Sequence, residues 1–168
     1  ETAVHSMVDF FLLLMLSGAG DELQGMKRGI MEMADAVVIT KADGSNVQRT
    51  EMAKSEFTNA LHLYPPAESG WSPKVLTCSA RENKGLDEVW DTINEYIDFT
   101  KNSGYFQKNR NQQAVARMYE CINDSLKSDF YDHPGIHEKI EEYKRKLLKQ
   151  EISSYKAAQN LLEDYRKM

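Results

Sequence analysis

The tetrapeptide Thr40-Lys41-Ala42-Asp43 follows directly on the β-branched run Ala36 to Ile39. In open α/β folds ligands bind at the carboxyl ends of the parallel strands, so these four residues stand where a ligand would lie. A carboxylate at Asp43 can accept two parallel N–H donors. Guanine presents such a pair, its ring N–H and its exocyclic amine, whereas adenine presents none on that edge. A wrong base would leave buried polar groups unpaired, at on the order of 1–3 kcal/mol each. The Lys41 stem can lie along a base face while its ammonium stays in water. The same residues also suit a plain strand-end turn.

A second apolar run, Lys74 to Thr77, ends in Cys78-Ser79-Ala80 and is followed by Asn83-Lys84-Gly85-Leu86 entering a helical segment. A small-residue turn there lets backbone N–H groups approach a ligand carbonyl closely. Two successive strand ends then carry the two halves of a guanine site in the right order. Ser79 also fits a simple serine turn, and Asn83 a helix N-cap.

These loops need a sheet to hold them. Phe10 to Leu16, Ala36 to Thr40 and Lys74 to Thr77 are short runs rich in β-branched or aliphatic residues without polar alternation. Each therefore reads as a strand buried on both faces, as in a parallel sheet. Helical spacing separates them, through Leu23, Met26, Ile30 and Met33, through Met52, Phe57 and Leu61, and through Leu86, Val89, Trp90, Ile93 and Ile97. The order is that of a doubly wound α/β fold. Such sheets usually hold more strands, and the chain opens on Glu1 rather than Met. The expectation is the C-terminal half of such a domain, over residues 1–101, in a piece of a longer protein.

Residues 102–168 change character. After Asn102-Ser103-Gly104 come three amphipathic stripes: Val115, Met118, Ile122, Leu126 and Phe130; Ile136, Ile140, Tyr143 and Leu147; Tyr155, Ala158, Leu162 and Tyr165. Narrow apolar stripes on charged helices suit an extension that packs on a second copy, giving a homodimer. A helical cap on the chain's own sheet fits the same pattern.

Bulk properties narrow the classes. The 168 residues carry 41% hydrophobic and 28% charged residues and a formal net charge of −5. A nucleic-acid binder would normally show a basic face, so nucleic acid is not an expected partner. The apolar run Phe10 to Leu16 is far short of the roughly 20 residues of a membrane span, so no membrane is expected either. Two cysteines, Cys78 and Cys121, make neither a disulfide framework nor a zinc cluster, and a reducing, cytoplasmic compartment is the default.

Thr40-Lys41-Ala42-Asp43 and Cys78-Ser79-Ala80 resemble the base-specificity motifs of the GTPase superfamily. The stretch Gly18-Ala19-Gly20-Asp21-Glu22-Leu23-Gln24-Gly25-Met26-Lys27-Arg28-Gly29-Ile30, with Met33-Ala34-Asp35 after it, resembles the GDELQGIKRGI segment of the MeaB/ArgK-type GTPases. These are chaperones of cobalamin-dependent methylmalonyl-CoA mutase, and the resemblance covers essentially the whole chain. It implies GTP or GDP as ligand, Mg2+ in the whole protein, and the mutase or a related acyl-CoA mutase as partner. It places Thr40, Lys41, Asp43, Ser79 and Ala80 in nucleotide binding. It makes the loop with Asp21, Glu22, Gln24 and Lys27 a further switch that relays nucleotide state to the mutase. Thr40 departs from the usual Asn of the first motif, and its shorter hydroxyl loses a contact to the purine or a tie to the phosphate loop while leaving specificity through Asp43.

The chain contains no GxxxxGK[ST] sequence and no Glu-Thr-Val-Gly sequence to place magnesium and the attacking water. Phosphate loop and metal supply nearly all the catalysis in phosphoryl transfer. The whole protein is therefore expected to be a GTPase, and this chain alone to be inactive with no catalytic residue of its own. Asp129, His133 and His137 stand at metal-ligand spacing, but Pro134-Gly135 interrupts any helix through them. Two other classes of function fit: a helical interaction module over residues 104 to 168, and a nucleotide-dependent metallochaperone for another target. The second usually carries His-rich tracts, and only 4 His occur here.

Overall fold

In the computed structural model, which describes residues 2–17 and 28–168, the element order follows the sequence pattern closely. It runs α1 (Thr2–His5), β1 (Leu12–Leu16), α2 (Arg28–Glu32), β2 (Ala36–Thr40), a 3-10 turn (Gly44–Asn46), α3 (Val47–Leu61) and β3 (Lys74–Thr77). Then come α4 (Leu86–Asn102), α5 (Tyr105–Tyr131), α6 (Ile136–Leu148) and α7 (Ser154–Tyr165). The two compact units are Glu1–Gln113 and Ala114–Met168.

In the first unit the strands form a parallel sheet in the order β1-β2-β3. Leu12 pairs with Ala36 and Leu16 with Thr40, while Ala36 pairs with Lys74 and Ile39 with Thr77. This register brings the ends of β2 and β3 level, which sets the loops at 40–43 and 78–80 side by side. Val37 and Ile39 join Phe11, Met31, Ala53, Phe57 and Val75 in one apolar core. Phe57, at 1% exposed, is its largest fully buried side chain. A separate aromatic group joins Trp71 to Tyr96 and Phe99, with Phe10 edge-on to Tyr96 at 5.0 Å.

Burial on both faces holds only for β2, whose Ala36, Val37, Val38 and Ile39 are all at most 1% exposed. The expectation fails for β1 and β3. Leu13 and Met15 pack on the core, but Leu14 and Leu16 on the alternate face of β1 are 60% and 51% exposed. On β3, Lys74 is exposed and Val75 buried. The reason is position. β2 is the central strand, while β1 and β3 are the edges of the described sheet.

The strand ends opposite these loops are tied by Asp35. Its N–H donates to the Phe11 carbonyl at 2.9 Å, and its carboxylate accepts from the Phe11 N–H at 2.8 Å. The Trp71 indole N–H donates to the Asp35 carbonyl at 2.9 Å, which adds the segment leading into β3. Burial pushes the Asp35 carboxyl up to about 6, against the opposing pull of the Phe11 N–H, His5 and Tyr96. Nearby, Arg110 grips Asp9 with two donors and holds that carboxyl below its usual range.

The second unit is helical. Ile136, Tyr143 and Ala157 are buried, and Phe130 meets the Tyr165 ring at 5.2 Å. Ser153 caps α7 by accepting from the Lys156 N–H at 3.3 Å. Asp132 to Gly135 breaks the chain between α5 and α6, and Gly135 takes φ +90° there.

Candidate functional site

The parallel pairing of β2 and β3 continues one step past the strands. The Cys78 N–H donates to the Ile39 carbonyl at 3.0 Å, and the Ala42 N–H to the Cys78 carbonyl at 3.0 Å. Residues 40–43 and 78–80 are therefore joined through their main chains before any side chain is considered.

The side chains add a second link. The Ser79 hydroxyl donates to Asp43 Oδ2 at 2.5 Å and accepts from the Glu82 N–H at 3.1 Å. Ser79 is fully buried, while Asp43 is half-buried. A serine turn and a cross-loop tether are thus the same hydroxyl. One carboxylate oxygen is held, which fixes the plane of the carboxyl group and leaves acceptor capacity for donors arriving from outside. Such preset acceptors favour a ligand with two donors side by side.

Thr40 does not reach toward Asp43. Its hydroxyl donates to the Met15 carbonyl at 3.0 Å and ties the end of β2 to that of β1. Lys41 is exposed and takes φ +58°, a left-handed conformation costing a residue with a Cβ roughly 1–2 kcal/mol. Ala80 is exposed, and no described group accepts a hydrogen bond from its N–H. The structure thus brings Thr40, Lys41, Asp43, Ser79 and Ala80 to one end of the sheet. Asp21, Glu22, Gln24 and Lys27 lie outside the described residues.

The 79–84 loop is closed by reciprocal bonds, from the Ser79 N–H to the Lys84 carbonyl at 2.9 Å and from the Lys84 N–H to the Ser79 carbonyl at 3.0 Å. Asn83 is not the cap of α4. It sits at φ +52°, and Gly85 at φ +70° occupies the cap position. A Cβ on Gly85 would lie 2.3 Å from the Thr77 carbonyl oxygen, so only glycine lets α4 start this close to the end of β3. Glu82, which motif reading passes over, pairs with Lys84 at 2.5 Å. The Lys84 ammonium and the Gly44 N–H hold the Glu82 carboxyl below its usual range, and Lys84 also feels Asp43. Cys78 is buried, and burial pushes its thiol up. Among the described residues no group of three or more His, Cys, Asp or Glu could hold a metal ion.

A parallel sheet with helical connections, and two linked loops at adjacent strand ends, define an open α/β domain whose ligand would lie at those ends. Comparison with known proteins gives the family. Residues 1–134 match the family described as methylmalonyl Co-A mutase-associated GTPase MeaB, and the chain belongs to it. It is 40% identical over 166 residues to the mouse protein named methylmalonic aciduria type A homolog, mitochondrial, covering 99% of this chain and 40% of that protein. It is 38% identical over 148 residues to the GTPase ArgK of Escherichia coli, covering 88% and 44%. A crystal structure titled LAO/AO transport system kinase superposes with a TM-score of 0.74 at 30% identity, over 99% of this chain and 53% of that one. The chain thus spans about half the length of these relatives or less.

Proposed function

We propose that this chain supplies the guanine-reading part of a GTPase. In that protein GTP binding and hydrolysis gate cobalamin loading and protection of methylmalonyl-CoA mutase. The observation that carries the base-reading role is the Ser79–Asp43 hydrogen bond across two strand ends, which presents a preset carboxylate to an incoming base. Asp43 accepts from the guanine ring N–H and amine, Lys41 covers the base, and the Ala80 N–H donates to the base carbonyl. Thr40 acts indirectly, by holding the strand end that carries Lys41.

Phosphoryl transfer needs a phosphate loop, its lysine and Mg2+. The sequence contains no such loop motif. On this reading residues 1–168 supply the base-reading loops, and the phosphate loop and magnesium ligands belong to the rest of the protein. The mutase is the partner that the family description names. Relay to it through Asp21, Glu22, Gln24 and Lys27 is part of the same reading.

The helical unit serves association of two copies. Its support is an apolar surface: Val115, Met118, Ile122 and Leu126 on α5 are 53%, 50%, 46% and 62% exposed. A cavity of about 500 Å³ beside it is lined by Leu126, Phe130, Ile140, Leu161 and Leu162. No helix among the described residues is long and apolar enough to cross a membrane. A reducing, cytoplasmic setting matches the two free thiols Cys78 and Cys121, whereas the mouse relative is named as mitochondrial.

The deciding experiment is calorimetric titration of the intact protein and its Asp43→Asn variant with GTP. The expected result is a loss of tenfold or more, on the order of 1.4 kcal/mol. Equal affinity in both would overturn the base-site assignment.

A further inference from the structure

Asn46 stands at the N-cap of α3, yet its side chain makes no cap hydrogen bond. It closes the 3-10 turn Gly44–Asn46, whose own extended cap residue is Asp43. At Asn46 φ and ψ are −91° and −12°, and the side-chain amide turns back to donate to the Lys41 carbonyl at 2.8 Å. Its backbone N–H donates to the Asp43 carbonyl at 3.0 Å. One half-buried residue thus grips the main chain of both Lys41 and Asp43. Lys41 has reason to be held, because a left-handed lysine persists only where its surroundings over-determine it.

We propose that Asn46 is a specificity-determining positioning residue, whose amide locks the Lys41 turn and so aims the Lys41 stem and the Asp43 carboxylate at the base. This rests on reading residues 40–43 as the guanine site. Asn46 touches no ligand and acts through the backbone of its two neighbours in the loop. Ser79 cannot replace it, because Ser79 holds the Asp43 carboxylate and leaves the Lys41 carbonyl untouched. Because the helical run is entered at Asp43, the Asn46 side chain is not needed as its cap and is free to bond the Lys41 carbonyl.

The test is calorimetry on the intact protein with GDP, ADP and inosine diphosphate, which keeps the ring N–H of GDP and lacks its amine. Asn46→Asp keeps the shape and removes the donor, and Asn46→Ala removes both. Each is expected to weaken GDP about fivefold and to move the GDP-to-inosine diphosphate ratio toward one, with the melting temperature little changed. Adding Asn46→Ala to Lys41→Gly should cost less than Asn46→Ala alone, since glycine adopts the left-handed turn unaided. An unchanged ratio in both Asn46 variants, or full additivity with Lys41→Gly, would overturn the proposal. Asp43→Asn separates the two layers. If it abolishes the preference for GDP over ADP while the Asn46 variants keep their ratio, only the role of Asn46 falls. If it leaves that preference intact, the guanine site itself falls.

Discussion

Ser79 and Asp43, 36 residues apart in sequence, are joined by a hydroxyl–carboxylate hydrogen bond of 2.5 Å at the ends of two parallel strands. The bond orients the one side chain proposed to choose the base. Ser79→Ala should therefore lower guanine-nucleotide affinity about five- to tenfold, by freeing the carboxylate to rotate. The main-chain links through Cys78 remain but the Glu82 N–H loses its acceptor, so the melting temperature should fall by only about 2–4 °C. Calorimetry with parallel thermal melts checks both halves of the statement.

Asp43→Asn replaces one acceptor oxygen by a donor NH2. A base with a carbonyl where guanine has its amine then becomes the better match. Xanthine nucleotides should bind the variant more tightly than the native protein, while GDP shows the reverse order. Competition titrations with the two diphosphates measure the exchange, and loss of both together would point to misfolding instead.

Gly85→Ala should be costly. Its Cβ would approach the Thr77 carbonyl oxygen to 2.3 Å at a φ of +70°, so either the turn or the start of α4 has to move. A destabilisation of about 2–4 kcal/mol is expected, measured by urea unfolding. Gly104→Ala, with open space around its Cβ, shares the positive φ and should cost clearly less.

Asp35 makes a pH prediction. Its carboxyl is raised to about 6 from an ordinary 3.8, so folding favours the protonated form. The stability it contributes is fully present below about pH 4 and is lost as pH rises through about 6. Asp9 is shifted the other way by Arg110, and its contribution is lost only as pH falls below the usual carboxylate range. Asp35→Asn keeps an acceptor for the Phe11 N–H. It should be at least as stable as the native protein at pH 7 and should lack the native gain between pH 7 and pH 5, on the order of 1–2 kcal/mol. Urea unfolding at the two pH values decides it.

On the helical unit, Met118→Glu with Ile122→Glu places two charges on an exposed apolar stripe. Sedimentation should then report single copies, against the pairs proposed for the native protein, with helicity retained. An unchanged oligomeric state would remove the association role from α5.

What the sequence determined by itself was local. Buried strands show as unbroken aliphatic runs, and turn residues mark strand ends, so β2, β3 and the loops at 40–43 and 78–80 were legible from residue order. What only the tertiary structure decided depends on pieces distant in the chain, or on a choice between two local partners. That Leu14 and Leu16 face outward follows from β1 being an edge of the described sheet. That Thr40 donates to Met15 rather than into the loop follows from the β1–β2 register. The Asn46 amide can serve either the helix or the Lys41 carbonyl, and only the folded backbone shows which. Ser79 reads as a turn residue for the same reason. Composition places a hydroxyl and a carboxylate in the chain, but parallel pairing of β2 with β3 is what carries them within bonding distance.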